Sequence, residues 1–136
     1  MVIFGLYDIA MISYEFAIIP EHRIFFEKMT GFWNKDIALR YHEDFKKAVK
    51  PLLNDSWVRC LDLRKWHPSN PKVMKILSKH IDWTIKNNMK LSANIVVTTT
   101  PKLQMNTIMK NGIPILPYRF FDNKKDALEW LHSEGY

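Results

Sequence analysis

The chain is poor in the features that usually announce a chemistry. It has one cysteine, Cys60, in 136 residues, which excludes a disulfide framework and a cysteine-based metal centre. The histidines, His22, His42, His67, His80 and His132, show no ligand spacing such as His-x-x-x-His, so no metal site is expected. With four glycines there is no Gly-rich linker, and no Gly-x-Ser-x-Gly elbow presents a serine. Repeats and low-complexity tracts are also missing, so nothing suggests a second domain. The apolar stretch from Met1 to Ile19 is broken by Asp8 and Glu15, which argues against a spanning helix. It lacks a basic leader and a small-residue cleavage pattern, which argues against a signal peptide. A cytoplasmic protein without a cofactor is expected.

What is present suits a single packed domain. A chain of this length buries about two thirds of its unfolded surface without staples. The division expected is an apolar extension over residues 1–13 and one domain over 14–136. The net charge of +6 is uneven: residues 1–68 carry +1 and residues 69–136 carry +5. Acidic partners are therefore chemically suited, whereas no aromatic-rich motif accompanies the charge, which argues against nucleic acid.

Alternation predicts strands over Tyr14 to Ile19 and Arg23 to Met29, around a turn at Pro20-Glu21-His22, with Gly31 ending the second. Asn34 is placed to cap a helix whose apolar face is Ile37, Ala38, Tyr41, Phe45, Ala48, Val49 and Leu52. Pro51 ends it. Trp57 to Leu63 reads as a central buried strand, followed by a helix from Asn70-Pro71 to about Asn88. Ser92 to Thr98 reads as a β-branched strand. Thr100-Pro101 is expected to start a third helix that Asn111-Gly112 stops. Ile115 to Phe121 is the last strand, and a last helix from Asp122 or Asn123 buries Ala127, Leu128 and Leu131. The order β-β-α-β-α-β-α-β-α implies a mixed α/β sheet, parallel in its later part, with helices packed on it.

Four local features give this order a family likeness. They are Met29-Thr30-Gly31, Leu61-Asp62-Leu63-Arg64, Thr98-Thr99-Thr100-Pro101, and Phe120-Phe121-Asp122 followed by Ala127-Leu128-Glu129-Trp130-Leu131. Together, from Tyr14 to Leu131, the chain resembles the STAS domains, the family of the anti-sigma-factor antagonist SpoIIAA. The likeness is greatest to its small stand-alone bacterial members, called SpoIIAA-like or STAS/Sec14-like. The resemblance implies a non-enzymatic regulatory or protein-binding module. In the antagonist branch a serine or threonine after the central strand is phosphorylated, and the residue in that place here is Ser69. The Asp-Ser-(Ser/Thr)-Gly pattern of that branch is absent; Ser69 precedes Asn70-Pro71 instead.

Candidate site residues gather where open α/β sheets place ligands, beyond the carboxyl ends of the strands. Asp62, Arg64, Trp66, His67, Ser69 and Asn70 are expected on one strand-to-helix loop, with Trp33, Thr99 and Thr100 on neighbouring loops. Two helix N-termini, at Asn70-Pro71 and Thr100-Pro101, would direct free N–H groups there, which suits a phosphate, carboxylate or phosphoserine. If Trp33 and Trp66 face each other they wall a pocket for an anionic or acyl amphiphile; the plainer reading makes both indoles core lids. A hydrolytic set of Ser69, His67 and Asp62 can be written, but all three lie on one short loop. On the second helix Lys72, Lys75, Lys79, Lys86 and Lys90 form a stripe about 65° wide. Ile76 and Trp83 stand beside it, so Ile76, Lys79, Trp83 and Lys86 are either a solvated face or the core of a homodimer or partner interface.

Overall fold

The computed structural model describes residues 2–4, 13–67, 70–111 and 116–136. Its elements are β1 (Val2–Phe4), β2 (Tyr14–Ile19), β3 (Ile24–Gly31), α1 (Lys35–Ala48), β4 (Trp57–Trp66), α2 (Pro71–Lys86), β5 (Met89–Ile95), α3 (Thr99–Asn111), β6 (Tyr118–Phe121) and α4 (Lys124–Ser133). The strands form one sheet in sequence order, β1-β2-β3-β4-β5-β6. β1 and β3 run antiparallel to β2, and β3 to β6 run parallel. Three successive crossovers step the same way across the sheet, so a constant hand lays α1, α2 and α3 on one face. α4 follows the last strand and turns back onto the other.

Strand alternation supplies a core on each side. Phe25 and Met29 of β3 and Trp57, Leu61 and Leu63 of β4 pack under Tyr41, Phe45, Leu77, Ile81 and Ile108 of the three-helix layer. Ile24, Val58, Cys60, Ala93 and Ile95 point the other way and meet Ala127, Trp130 and Leu131 of α4. Leu128, expected in that core, is only half-buried, and Trp130 fills the place.

The N-terminal extension is not merely packed on the domain: Val2, Ile3 and Phe4 pair with Ile18, Ala17 and Phe16, adding an edge strand ahead of the expected order. β3 begins at Ile24 rather than Arg23. Arg23 is left-handed, with φ +53, and its guanidinium donates to the carbonyls of Ser56 at 2.7 Å and Leu52 at 2.6 Å. Two larger corrections concern strand ends. β4 continues past Leu63 to Trp66, because β3 reaches Gly31 and keeps offering it ladder partners. β5 ends at Ile95 instead of Thr98 and starts at Met89, opposite Trp57; Val96 and Val97 lie beyond the ladder despite their propensity. α2 stops at Lys86, before Asn88 with φ +78. β6 starts at Tyr118, so Leu116 and Pro117 of the expected last strand precede it, while Ile115 and the helix stop at Gly112 lie outside the described residues.

Caps set where α1 and α2 begin, and so where their first turns stand above the sheet edge. The Asn34 side chain accepts from Ile37 N at 2.9 Å and Asn70 from Val73 N at 3.0 Å. Asn34→Ala and Asn70→Ala are each expected to cost about 1 kcal/mol in urea unfolding; no change in midpoint would show that the caps are dispensable.

Candidate functional site

The carboxyl ends of β3, β4 and β5 and the first turns of α1, α2 and α3 form one edge of the molecule. Most of the sequence-derived candidates lie there, but not in the expected arrangement. Asp62, Arg64 and Trp66 are strand residues, not loop residues. Between Lys28–Asp62 and Thr30–Lys65 the pairing slips by one residue. This bulge shifts the alternation and returns Trp66 to the core shared by Leu61 and Leu63.

Asp62 is occupied. Arg64 donates to it from Nε at 3.0 Å, from Nη2 at 2.8 Å and from its backbone N at 3.0 Å. Partial burial works to raise the Asp62 carboxyl, but these bonds and the Arg64 charge hold it below the usual carboxylate range. His67 lies flat on Phe32, with ring centroids 4.3 Å apart and planes 10° apart, and its N donates to Gly31 O at 3.1 Å. Asp62 and His67, five residues apart along an extended chain, are separated by about 16 Å. The set of Ser69, His67 and Asp62 is therefore not assembled as a hydrolytic triad; Ser69 itself lies outside the described residues.

Trp33 and Trp66 do meet, edge to face, with centroids 6.2 Å apart. Rings in contact leave no room for a ligand between them, so the expected amphiphile pocket is not walled by this pair. Both are buried. Trp33 Nε1 donates to Thr30 O at 3.1 Å, while the shielded Trp66 Nε1 has no partner. Asn70 is committed to its cap. Thr99 and Thr100 are exposed in the first turn of α3, which begins two residues before Pro101, the first helical position that the Thr-Pro signal suggested.

The candidates on α2 divide. Lys79 and Lys86 are exposed, whereas Ile76 and Trp83 are half-buried against the main core. Trp83 stands edge-on to His42 at 5.8 Å and Phe45 at 6.2 Å of α1, so its indole closes the seam between two helices.

Sequence reasoning missed two features. The first is apolar exposure: Phe32 (72%), Val97 (59%), Leu103 (58%) and Leu39 (44%) are the exposed large hydrophobic residues of the described chain. Phe32 and Val97 follow β3 and β5, and Leu39 and Leu103 are each fifth in the helix leaving that edge. All four thus belong to the carboxyl edge. The second is a buried polar cluster under the helices. Glu27 and Arg59 approach at 3.6 Å, Tyr41 donates to Glu27 Oε1, and Arg59 Nε donates to Ser92 Oγ at 3.0 Å. Charged residues at inward positions of Phe25-Phe26-Glu27 and Val58-Arg59-Cys60 were the available signal.

On the α4 side a cleft of about 200 Å³ has Ala17, Phe26, Cys60 and Ile95 among its lining residues, with Glu15, Lys28, Asp62 and Lys124 also facing it. Burial pushes the Cys60 thiol up to about 12, which leaves it inert near neutrality. Among the described residues no group of three or more histidine, cysteine or carboxylate side chains is placed to hold a metal, and no helix is long and apolar enough to cross a membrane.

No family model and no curated protein is similar enough to match this chain. A solved structure is similar: that of an uncharacterized protein of the DUF3478 family with a SpoIIAA-like fold, from Shewanella loihica PV-4. The two agree with a TM-score of 0.61 over 79% of this chain and 83% of that one, at 17% identity. The chain therefore has the STAS/SpoIIAA-like fold that its motifs implied, and the likeness at this identity is one of fold.

Proposed function

We propose that the protein is a non-enzymatic interaction module that presents the carboxyl edge of its parallel strands to another protein molecule. The observation that carries this reading is the gathering of Phe32, Leu39, Val97 and Leu103 at one edge while the other large apolar side chains described are at least partly covered. Adjacent strands are about 4.8 Å apart, so the ends of β3 and β5 stand about 10 Å from each other, with the Phe32–His67 stack beside them. Exposed apolar groups so concentrated mark contact surfaces. Arg64, Lys65 and the polar first turn of α3 supply a rim. A regulatory role fits this use of the fold and needs no catalytic group, in keeping with an Asp62 already held by Arg64.

The amphiphile-carrier reading now rests on the α4-side cleft, where Lys28 and Lys124 flank an apolar floor. At about 200 Å³ that cleft is smaller than usual ligand pockets of about 300–1,000 Å³, which favours the interaction reading.

Phe32→Asp with Val97→Asp tests it. The wild type and the variant are compared as baits, with a differently tagged second copy of the chain included. Recovery of the wild-type partner is expected to fall at least about tenfold, with stability unchanged within about 0.5 kcal/mol because both sites are exposed. Equal recovery by the two baits would overturn the assignment of this edge.

A further inference from the structure

The net charge of the molecule sits on one side of it. α1, α2 and α3 together hold ten basic and four acidic residues, and the rest of the chain holds ten of each. The helix layer therefore carries the whole +6. Its acids are largely occupied within the fold: Glu43 pairs with Lys46 at 3.0 Å, Asp44 accepts from the Tyr14 hydroxyl, and Asp82 is half-buried. The cations of α2 have no such partners. Lys72, Lys75, Lys79 and Lys86 are exposed, and none of them takes part in an ion pair among the described residues. They stand away from the inward side chains Val73, Leu77 and Ile81. Like charges three and four residues apart repel, so Lys72, Lys75 and Lys79 weaken the helix that carries them, and nothing inside the molecule compensates. α2 lies between α1 and α3, and each flanking helix adds an exposed leucine, Leu39 and Leu103. Leu39 stands two residues before buried Tyr41 and Leu103 two before buried Met105, which turns both to the outside of the layer.

We propose that the outer face of α1, α2 and α3 lies on the surface of a bilayer rich in anionic lipid, with Leu39 and Leu103 entering the headgroup region. The composition of the face selects this partner. Nine of its ten basic residues are lysines, whereas Arg23, Arg59, Arg64 and Arg119 lie elsewhere, each engaged by an oxygen or a ring of the fold. Protein interfaces favour arginine and are depleted of lysine, because a planar fork fixes a geometry that a flexible ammonium does not. A fluid array of headgroups asks for no fixed geometry and attracts every lysine that comes near it. Outward leucines beside such lysines are the pattern of a surface that lies in the membrane interface without crossing it. A nucleic acid fits less well: the described residues of the face offer no exposed aromatic ring to a base, and leucines gain nothing against phosphates. With the layer flat on the bilayer, the carboxyl edge faces sideways. Phe32 and Val97 take no part in the contact, which therefore holds or fails independently of the reading of that edge.

The probe is large unilamellar vesicles of phosphatidylcholine with about 30 mol% phosphatidylglycerol, set against vesicles of phosphatidylcholine alone. Cosedimentation at about 0.1 M salt should show binding at least about tenfold tighter to the anionic vesicles, with most of it lost at about 0.5 M. Lys75→Glu with Lys79→Glu should weaken it at least about tenfold, and Lys124→Glu with Lys125→Glu, the same charge change on α4, by no more than about twofold. Leu39→Ser with Leu103→Ser is the decisive variant, because it alters no charge. A face that reads charge alone is indifferent to it, whereas loss of the inserted side chains should weaken vesicle binding at least about threefold. Phe32→Ser with Val97→Ser, on the carboxyl edge, should leave vesicle binding within about twofold. All the substituted side chains are exposed, so the variants should keep the fold. Equal binding to the two kinds of vesicle, equal losses from the two lysine pairs, indifference to the leucine pair, or a loss as large from Phe32 and Val97 would each overturn the proposal. So would tighter binding to polyuridylate than to the anionic vesicles at equal phosphate.

Discussion

Glu27→Met is expected to destabilise the protein by about 3–5 kcal/mol, and Arg59→Met by markedly less below pH 7. Both side chains are fully enclosed between β3, β4 and the helices. Burial pushes the Glu27 carboxyl up to about 7, against the pull of Arg59 and the Tyr41 hydrogen bond. Removing Glu27 strands a guanidinium that cannot shed its proton, with only neutral groups beside it, Ser92 Oγ at 3.0 Å and the Tyr41 hydroxyl. Removing Arg59 strands a carboxylate that has an escape: it takes up a proton and becomes a neutral acid. The cost of Arg59→Met should therefore grow between about pH 6 and about pH 8, while that of Glu27→Met falls by about 1 kcal/mol, because the wild type loses over that range the proton that Glu27 keeps in the fold. The double variant should regain most of the loss, because a packed apolar pair often replaces a buried ion pair without penalty. Urea unfolding of the four proteins at both pH values decides it. Equal single-variant costs at both, or a double variant as unstable as the two losses added together, would refute this account of the pair.

The fold was legible wherever a local rule settled it. Alternation in β3 separated Phe25, Glu27 and Met29 from Ile24 and Phe26, and both asparagine caps stand where Asn34 and Asn70 signalled them. What failed depended on partners distant in sequence. The polar run after Leu63 looks like a loop, yet Lys65 and Trp66 remain in the sheet because Thr30 and Gly31 lie beside them. Val96 and Val97 have the composition of a strand, but β6 ends at Phe121, whose carbonyl accepts from Val96 N at 3.0 Å, and the ladder goes no further. Trp83 falls outside the inward phase of α2, and it is covered because α1 crosses beside it. Of the candidate site, the strand ends and helix starts that meet at the carboxyl edge were legible, and the way their side chains point was not. Trp33 and Trp66 turn inward into the core, and although Gly31 marked the end of β3, nothing local showed that Phe32, the next residue, is left exposed. His80 sits in phase with Leu77, Ile81 and Thr84, so its burial could be read from spacing even though it offered no metal pattern.

That histidine, close to the buried pair, leads to the second large effect. Between about pH 5 and pH 6.5 the wild type should hold a nearly level stability, because Glu27 and His80 titrate with opposite sign. Glu27 rises from 4.5 in the unfolded chain to about 7 in the fold. The folded protein thus keeps a proton that the unfolded chain has released. This contribution is complete below pH 4.5 and disappears as the pH rises to about 7, a change of about 3 kcal/mol. His80 is fully buried against the rings of Tyr41 at 4.8 Å and Phe45 at 4.4 Å, and its Nδ1 meets His42 Nδ1 at 2.8 Å. Burial, then the charges of Arg59 and His42, hold it well below 6.5. The unfolded chain therefore binds the proton first, and stability present above pH 6.5 is lost as the pH falls. Each group contributes a slope of about 1.4 kcal/mol per pH unit, in opposite directions. His42, half-buried and lowered by burial and Lys46 against Glu43, adds a smaller contribution to the histidine side. Glu27→Gln should remove one slope and leave a protein that weakens steadily on acidification below pH 6.5. His80→Leu should remove the other and leave one that strengthens from pH 7 towards pH 4.5. Exposed carboxylates give all three proteins the same background, so the comparison isolates the buried groups. Parallel curves for the two variants would mean that the cluster does not titrate in the fold. Divergent ones would show that Glu27 and His80, a few side chains apart in one core, offset each other's response to acid.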